Sequence, residues 1–253
     1  MHDHVGKAAD GREKLTAYHH PDAIAQRLSS QPKQSYLKDM VFGAMDGTVT
    51  TFAMVAGVAG AGADVRIALI LGLANLFADG FSMASGNFLS ARTVRDVLDK
   101  ARRMEEHHID MVPDGEREEV RQIFQAKGFT GDVLDEIVRI ITRNRKRWVE
   151  TMLVEEHGLP LETHSPRMTA LVTFFAFCAA GAVPLVPLLF YMDSRMTDTV
   201  FGLSIAGTGA AFVLVGVLKS YVLKTNMLRS VFETVVLGGL AASIAFAVGY
   251  VFR

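Results

Sequence analysis

Five runs of mostly apolar residues, at about 40–62, 67–89, 168–192, 200–218 and 231–252, divide this chain of 253 residues. Each is close to the roughly 20 residues that carry a helix across about 30 Å of hydrocarbon. Inside lipid every backbone N–H and C=O must find an internal partner, so helices and closed barrels are the only spanning solutions. Runs of this length have the helical size and not that of a barrel strand. The chain is therefore expected to be all-α, a five-span transmembrane helical protein. Hydrophobic residues make up 50% of it and charged residues 21%, and the charges are segregated along the sequence, which marks a part-membrane, part-aqueous molecule.

Basic residues flank the runs on one side: Lys33 and Lys38, Arg92 and Arg95, Arg167, then Lys219, Lys224 and Arg229. The other side has short turns containing Asp64 and Arg66, or Asp193, Arg195 and Asp198. By the positive-inside rule the amino terminus and the insert between spans 2 and 3 face the cytoplasm and Arg253 does not. The organisation read from this is a mobile polar tail at 1–38, spans 1–2 at 39–90, a cytoplasmic helical domain at 91–166 and spans 3–5 at 167–253. The tail carries His2, His4, His19 and His20 but no apolar core, so it is no signal peptide. Its histidines can bind metal weakly or be merely solvated. A net charge of −1, with basic residues beside apolar runs, supports no nucleic-acid partner. The single cysteine, Cys178, excludes an intramolecular disulfide and reads as a packing residue.

The insert has helical periodicity. The second span continues without a breaker through Leu98 to Ile109, and Pro113, Asp114 and Gly115 are expected to end it. A short helix follows with Val120, Ile123 and Phe124 on one face and Gly128 as its stop. Thr130 can cap the next helix, which buries Val133, Leu134, Ile137, Val138 and Ile141. The last carries Trp148, Met152 and Glu156 and ends at Gly158. Together they suffice for a three-helix or four-helix cap.

Two acids interrupt the apolar pattern, Asp46 in the first span and Asp79 in the second. A carboxylate at the centre of a lipid-embedded helix costs roughly 2.5 to 3.5 kcal/mol on insertion scales, so such acids usually face a bundle interior or a water-filled path. At 100° per residue Gly43, Asp46, Gly47, Thr50, Met54 and Gly57 share one stripe, and Gly72, Asn75, Asp79, Met83 and Gly86 share another. The two stripes are expected to close on each other around a cation pathway. Oxygen ligands suit Mn²⁺ and Fe²⁺, and thioether sulfur favours softer ions over Ca²⁺ and Mg²⁺. The methionines are equally readable as packing residues, and Asn75 as a hydrogen bond between helices.

In the insert, Glu105, Glu106, His107 and His108 precede the turn, Glu116, Glu118 and Glu119 follow it, and Met152, Glu155, Glu156 and His157 end the last helix. Glu105 with His108, and Glu116 with Glu119, share faces at i and i+3. They can gather cations or simply pair with Arg102, Arg117 and Arg121.

The segments LKDMVFGAMDGTVTTFAMVAG, GFSMASGNFLSA, VPDGEREEV and RSVFETVVLGG resemble the vacuolar iron transporter family of Fe²⁺ and Mn²⁺ carriers, from Tyr36 to the carboxyl terminus. The resemblance implies a homodimer in the lipid bilayer, a metal path near its interface, an ion-gathering cytoplasmic domain and coupling to protons. It implies Asp46 and Met83 as intramembrane ligands, and Glu105, Glu116, Glu119, Met152 and Glu156 as ligands in the insert. Two positions depart from the pattern: Asn75 stands where a glutamate is expected, with Asp79 one turn on, and His108 replaces another glutamate. Glu233 also matches; from its spacing it pairs with Arg229.

The expected function is therefore a secondary transporter exporting Fe²⁺ or Mn²⁺ from the cytoplasm in exchange for protons, with the metal as transported ligand, no permanently bound cofactor and a bacterial plasma membrane as its site. No Walker A motif is present, so ATP does not drive it within this chain. Two other readings stand beside it. An intramembrane aspartyl protease would use Asp46 and Asp79 as its dyad, although their MDG and ADG contexts are not the GxGD expected there. A membrane-anchored metal sensor or buffer would use only the insert.

Overall fold

The computed structural model describes residues 15–29, 35–192 and 195–253. His2, His4, Lys33 and Asp193 lie outside the described residues. Two compact units divide the chain, Met1–Ser35 and Tyr36–Arg253. In the first, helix α1 (Pro21–Ser29) opens with proline at its first position and Asp22 in its first turn, both suited to the orphan N–H groups of a helix start. His19 bonds the carbonyl of Leu15, and His20 lies 3.5 Å from Asp22.

Five helices of the second unit are long and apolar enough to cross a membrane: Leu37–Gly60 (α2), Val65–Met111 (α3), Pro166–Leu189, Asp198–Leu223 (α9) and Met227–Val251 (α10). No β-strand occurs among the described residues. The third span is not the continuous helix its hydropathy suggests. It runs as α7 (Pro166–Gly181), tightens into a 3₁₀ turn at Val183–Leu185 and resumes as α8 (Val186–Leu189). Pro184 and Pro187 lack the N–H that an α-helix interior requires, which breaks the ladder here. The hydroxyl of Ser204 on α9 bonds the carbonyl of Pro184 at 2.9 Å.

α2 is the centre of the bundle and touches the other four spans. Glycine makes this possible. A Cβ on Gly43 would lie 2.6 Å from the Thr173 carbonyl oxygen, and one on Gly47 would lie 2.3 Å from that of Phe177. Further along, a Cβ on Gly249 of α10 would meet the Gly57 oxygen at 1.9 Å. Helices this close pack backbone to backbone, the small-residue mode of membrane bundles. An apolar core of Val55, Leu69, Leu76, Phe177, Leu185 and Leu188 fills the space between α2, α3 and the third span.

α3 is a single helix of 47 residues, about 70 Å at 1.5 Å per residue. About 30 Å of that crosses the hydrocarbon, so the remainder projects from the membrane and forms one wall of the insert. Against it pack α4 (Pro113–Ala126), α5 (Gly131–Thr142) and α6 (Arg145–Glu155) around Leu98, Ile109, Val120, Leu134, Val138, Trp148 and Leu153. The break after α3 is sharper than the sequence suggests. Only Val112 separates the helices; Pro113 begins α4, and Asp114 and Gly115 lie inside it. Proline at the first helical position surrenders a donor that would have no partner there. Gly128 and Gly158, with φ of +96° and +63°, turn the chain in the left-handed region after α4 and α6. Thr130 sits at the cap of α5 without a side-chain bond, whereas Asn144 caps α6 by accepting from the Arg147 N–H.

Candidate functional site

The insert brings acids from three helices together. Glu105 on α3 is 1% exposed and Glu116 on α4 is 2% exposed. His157, just past α6, places Nε2 2.8 Å from Glu105 Oε1 and 3.7 Å from Glu156 Oε2. Ligand atoms of Glu105, Glu156 and His157 all lie within 4.8 Å of one another. On the other side of the cluster His108 Nδ1 is 3.3 Å from Glu116 Oε1. The second oxygens of Glu105 and Glu116 are buried with no hydrogen-bond partner. Buried carboxylate oxygens are almost always partnered because desolvating them is costly. A proton or a cation resolves that cost.

The electrostatics agree. Burial, reinforced by Glu105, Glu119 and Glu156 nearby, pushes the Glu116 carboxyl up to about 7, with His108 opposing. Glu156 is raised by desolvation and then by Glu105. The hydrogen bond to Glu105 raises His157. A divalent ion would satisfy both unpartnered oxygens and dissipate the repulsion among the carboxylates.

Of the residues expected to bind here, Glu105, His108, Glu116 and Glu156 meet in this cluster, and Glu119 is near enough to act on Glu116 and Glu156. Met152 is fully buried in the core of the insert, one turn before Glu156. Others are engaged elsewhere: Glu118 with Arg121 and Gln122, Glu155 with Lys127, and Arg117 with Asp114. His157, one of the cation-gathering candidates in the sequence but outside the ligand set that the resemblance implies, returns to α3 just past the end of α6. Helical spacing links residues three or four apart and gives no sign of a pairing across 52 positions.

Within the membrane, Asp46, Thr50, Met54, Asn75, Asp79 and Met83 are all half-buried. The charges of Asp46 and Asp79 are close enough to interact. The expectation that the two stripes close on each other requires correction, because the third span packs against glycines of both. In the first stripe Gly43 and Gly47 face Thr173 and Phe177 while Gly57 faces Ala245 of α10, and in the second Gly72 faces Leu185. Each stripe is broad enough for its glycine edge to meet one neighbour and its acidic edge another. Thr50 donates its hydroxyl to the Asp46 carbonyl at 2.9 Å, and Met83 packs against the apolar core. Near the start of α10, Glu233 is held by Arg229 at 2.9 Å and Lys219 at 3.1 Å.

A family profile described as the VIT family matches residues 37–250. The chain is 33% identical over 213 residues to vacuolar iron transporter 2 of Oryza sativa subsp. japonica, covering 83% of this chain and 85% of that protein. It is 32% identical over 221 residues to a vacuolar iron transporter of Toxoplasma gondii, covering 85% and 73% respectively. Vacuolar iron transporter 1 of Arabidopsis thaliana is 29% identical over 218 residues, 85% of each chain. With similarity running through all five spans and the insert between them, this protein belongs to the VIT family.

Proposed function

We propose that this protein is a secondary transporter that carries Fe²⁺, and Mn²⁺ with it, out of the cytoplasm in exchange for protons, and that it works as a homodimer. Metal-ion transport is the activity for which its relatives are named, which sets aside the intramembrane protease. The observation that carries the reading is the pair of buried, unpartnered carboxylate oxygens on Glu105 and Glu116, surrounded by Glu119, Glu156, His108 and His157. Such a cluster accepts either protons or a divalent cation, and the choice between them is the elementary requirement for exchange.

In this scheme the insert faces the cytoplasm and collects the ion. Asp46 and Asp79, with Thr50, Met54, Asn75 and Met83 beside them, form the path through the membrane. An expectation of the bacterial plasma membrane draws no support from these relatives, which are eukaryotic and named vacuolar. The proposal specifies the cytoplasmic side and not the organelle.

Purified protein in liposomes, loaded with a metal-sensitive dye and given Fe²⁺, Mn²⁺ and Ca²⁺ with and without a pH gradient, tests this. Uptake of Fe²⁺ and Mn²⁺ that accelerates when the lumen is acidic is the expected result. Binding without uptake would replace the transporter by the sensor or buffer.

A further inference from the structure

Each buried carboxylate of the insert is paired with one imidazole, Glu105 with His157 and Glu116 with His108. His108 stands where the family resemblance leads one to expect a ligand; His157 is only one of the insert's general cation-gathering candidates, and the resemblance assigns it no role. Its side chain is not needed to end α6. The backbone does that through Glu156 N–H and His157 N–H bonding the Met152 carbonyl and Leu159 N–H bonding that of Leu153, with Gly158 at φ +63°. This turn carries the His157 ring to Glu105 and Glu156, where one ligand atom from each lies within 4.8 Å of the others. Bonds of about 2.1 Å to nitrogen and oxygen hold neighbouring donors about 3.0 to 3.5 Å apart, so side-chain shifts of about an ångström would close the triad on an ion. Glu105 Oε2, buried and without a partner, is available to the same ion.

We infer that His157 is a direct ligand of the ion held by the insert and that, with His108, it makes the site prefer Fe²⁺ and later first-row ions to Mn²⁺, Mg²⁺ and Ca²⁺. The inference rests on the ion-gathering reading of the insert. Carboxylate and water ligands suit Mg²⁺, Ca²⁺ and Mn²⁺, whereas imidazole suits Fe, Ni, Cu and Zn, and affinity rises from Mn²⁺ through Fe²⁺ to Co²⁺. Two imidazoles among carboxylates therefore shift selectivity along that series. A site of carboxylates alone would retain ions but discriminate less among them.

Calorimetry on the full-length protein with Co²⁺, an air-stable probe for Fe²⁺, and with Mn²⁺ tests this in the parent and in His157→Leu. Loss of an imidazole ligand should weaken Co²⁺ binding by about tenfold or more and Mn²⁺ binding only about two- to threefold, so the preference collapses. Proton NMR of the Co²⁺-loaded protein gives a readout that a helix-end role would not move. The parent should show paramagnetically shifted imidazole N–H signals from two ligands, and His157→Leu should lose one. Retention of both signals, or an equal loss of affinity for both ions, would overturn the assignment of His157 while leaving the ion-gathering reading in place. A parent that binds neither ion would overturn both.

Discussion

Glu105 and His157 are 52 residues apart in the chain and 2.8 Å apart in the fold. Between them lie the end of the long helix α3 and all of α4, α5 and α6. The pair therefore closes the whole insert on the helix that enters the membrane. Anything that changes the charge of this pair acts directly on the continuation of the second span.

The metal-free insert should be more stable in mild acid than in base. Glu116 titrates near 7 in the fold against an ordinary value of 4.5. Below about 4.5 both folded and unfolded chains hold the proton; between there and 7 only the fold holds it, so stability falls as pH rises. At 1.36 kcal/mol per unit of pKa the full effect is on the order of 3 kcal/mol. His157 acts in the same direction, because its raised pKa stabilises the fold below about 6.5 and that contribution is lost as pH passes its higher folded value. Thermal melts with chelator should therefore show a lower Tm at about pH 8 than at about pH 5, and Glu116→Gln should flatten the difference. A pH-independent Tm in the parent contradicts the raised carboxyl.

Metal binding should have the opposite pH dependence, since ions compete with the protons on the same oxygens. Affinity should drop between about pH 7.5 and pH 5.5, where Glu116 takes up a proton. Replacing Glu105, Glu116, Glu119 and Glu156 together by alanine should weaken binding by about 100-fold and slow transport without abolishing it. Helix content should persist, because the insert's apolar core is independent of these carboxylates. Undiminished calorimetric binding in this variant would return them to the role of solvated surface acids.

The sequence made the five spans legible because hydrocarbon imposes a length, and no other element satisfies it. It also made Glu105, Glu116 and Glu156 legible as ligands through the family resemblance. Its hydropathy hid the break of the third span into three pieces, although Pro184 and Pro187 were the signal that could have found it. Nor could the helical stripes reveal that the third span packs against glycines of both, at Gly43, Gly47 and Gly72. A periodicity locates a face on one helix; which neighbour meets it depends on how all five pack. His157 was readable as a candidate on the last helix, but its pairing with Glu105 was not, because it lies past the end of α6 and meets a helix 52 residues away that no repeat encodes.

Close packing at α2 gives a prediction about folding. Gly47→Ala would set a methyl group 2.3 Å from the Phe177 carbonyl oxygen, and Gly249→Ala would set one 1.9 Å from that of Gly57. Neither backbone can yield without separating two spans, so each change should cost about 1 to 3 kcal/mol or more and lower Tm in detergent. Gly202→Ala, which meets nothing within 4 Å, should be neutral or stabilising by up to about 1 kcal/mol through helix propensity. Equal Tm values for all three variants would contradict the packing described.

Orientation can be tested with cysteines in a Cys178→Ala background. A cysteine replacing the exposed Lys127 in the insert should resist an impermeant thiol reagent in intact cells, and one replacing Arg253 should react. Labelling at Lys127 would invert the assignment made from the basic flanks.

Asp79 is expected to supply the second intramembrane charge. Asp46 alone would leave a divalent ion half-neutralised in a medium of low dielectric, whereas two carboxylates balance it and can accept protons once it has left. The two charges are close enough to interact, and Asp79 lies one turn from Asn75, where the family resemblance leads one to expect a glutamate. Asp79→Asn should therefore abolish transport in liposomes, and Asp46→Asn should do the same. Both variants should insert and fold, because removing a charge lowers the cost of placing the helix in lipid. Asn75→Glu combined with Asp79→Gly should recover part of the activity, since the longer side chain reaches along the same stripe towards the position the aspartate held. Parental transport by Asp79→Asn would make Asp79 a structural residue and leave the ion to cross on Asp46 alone, without the paired carboxylates that proton exchange requires here.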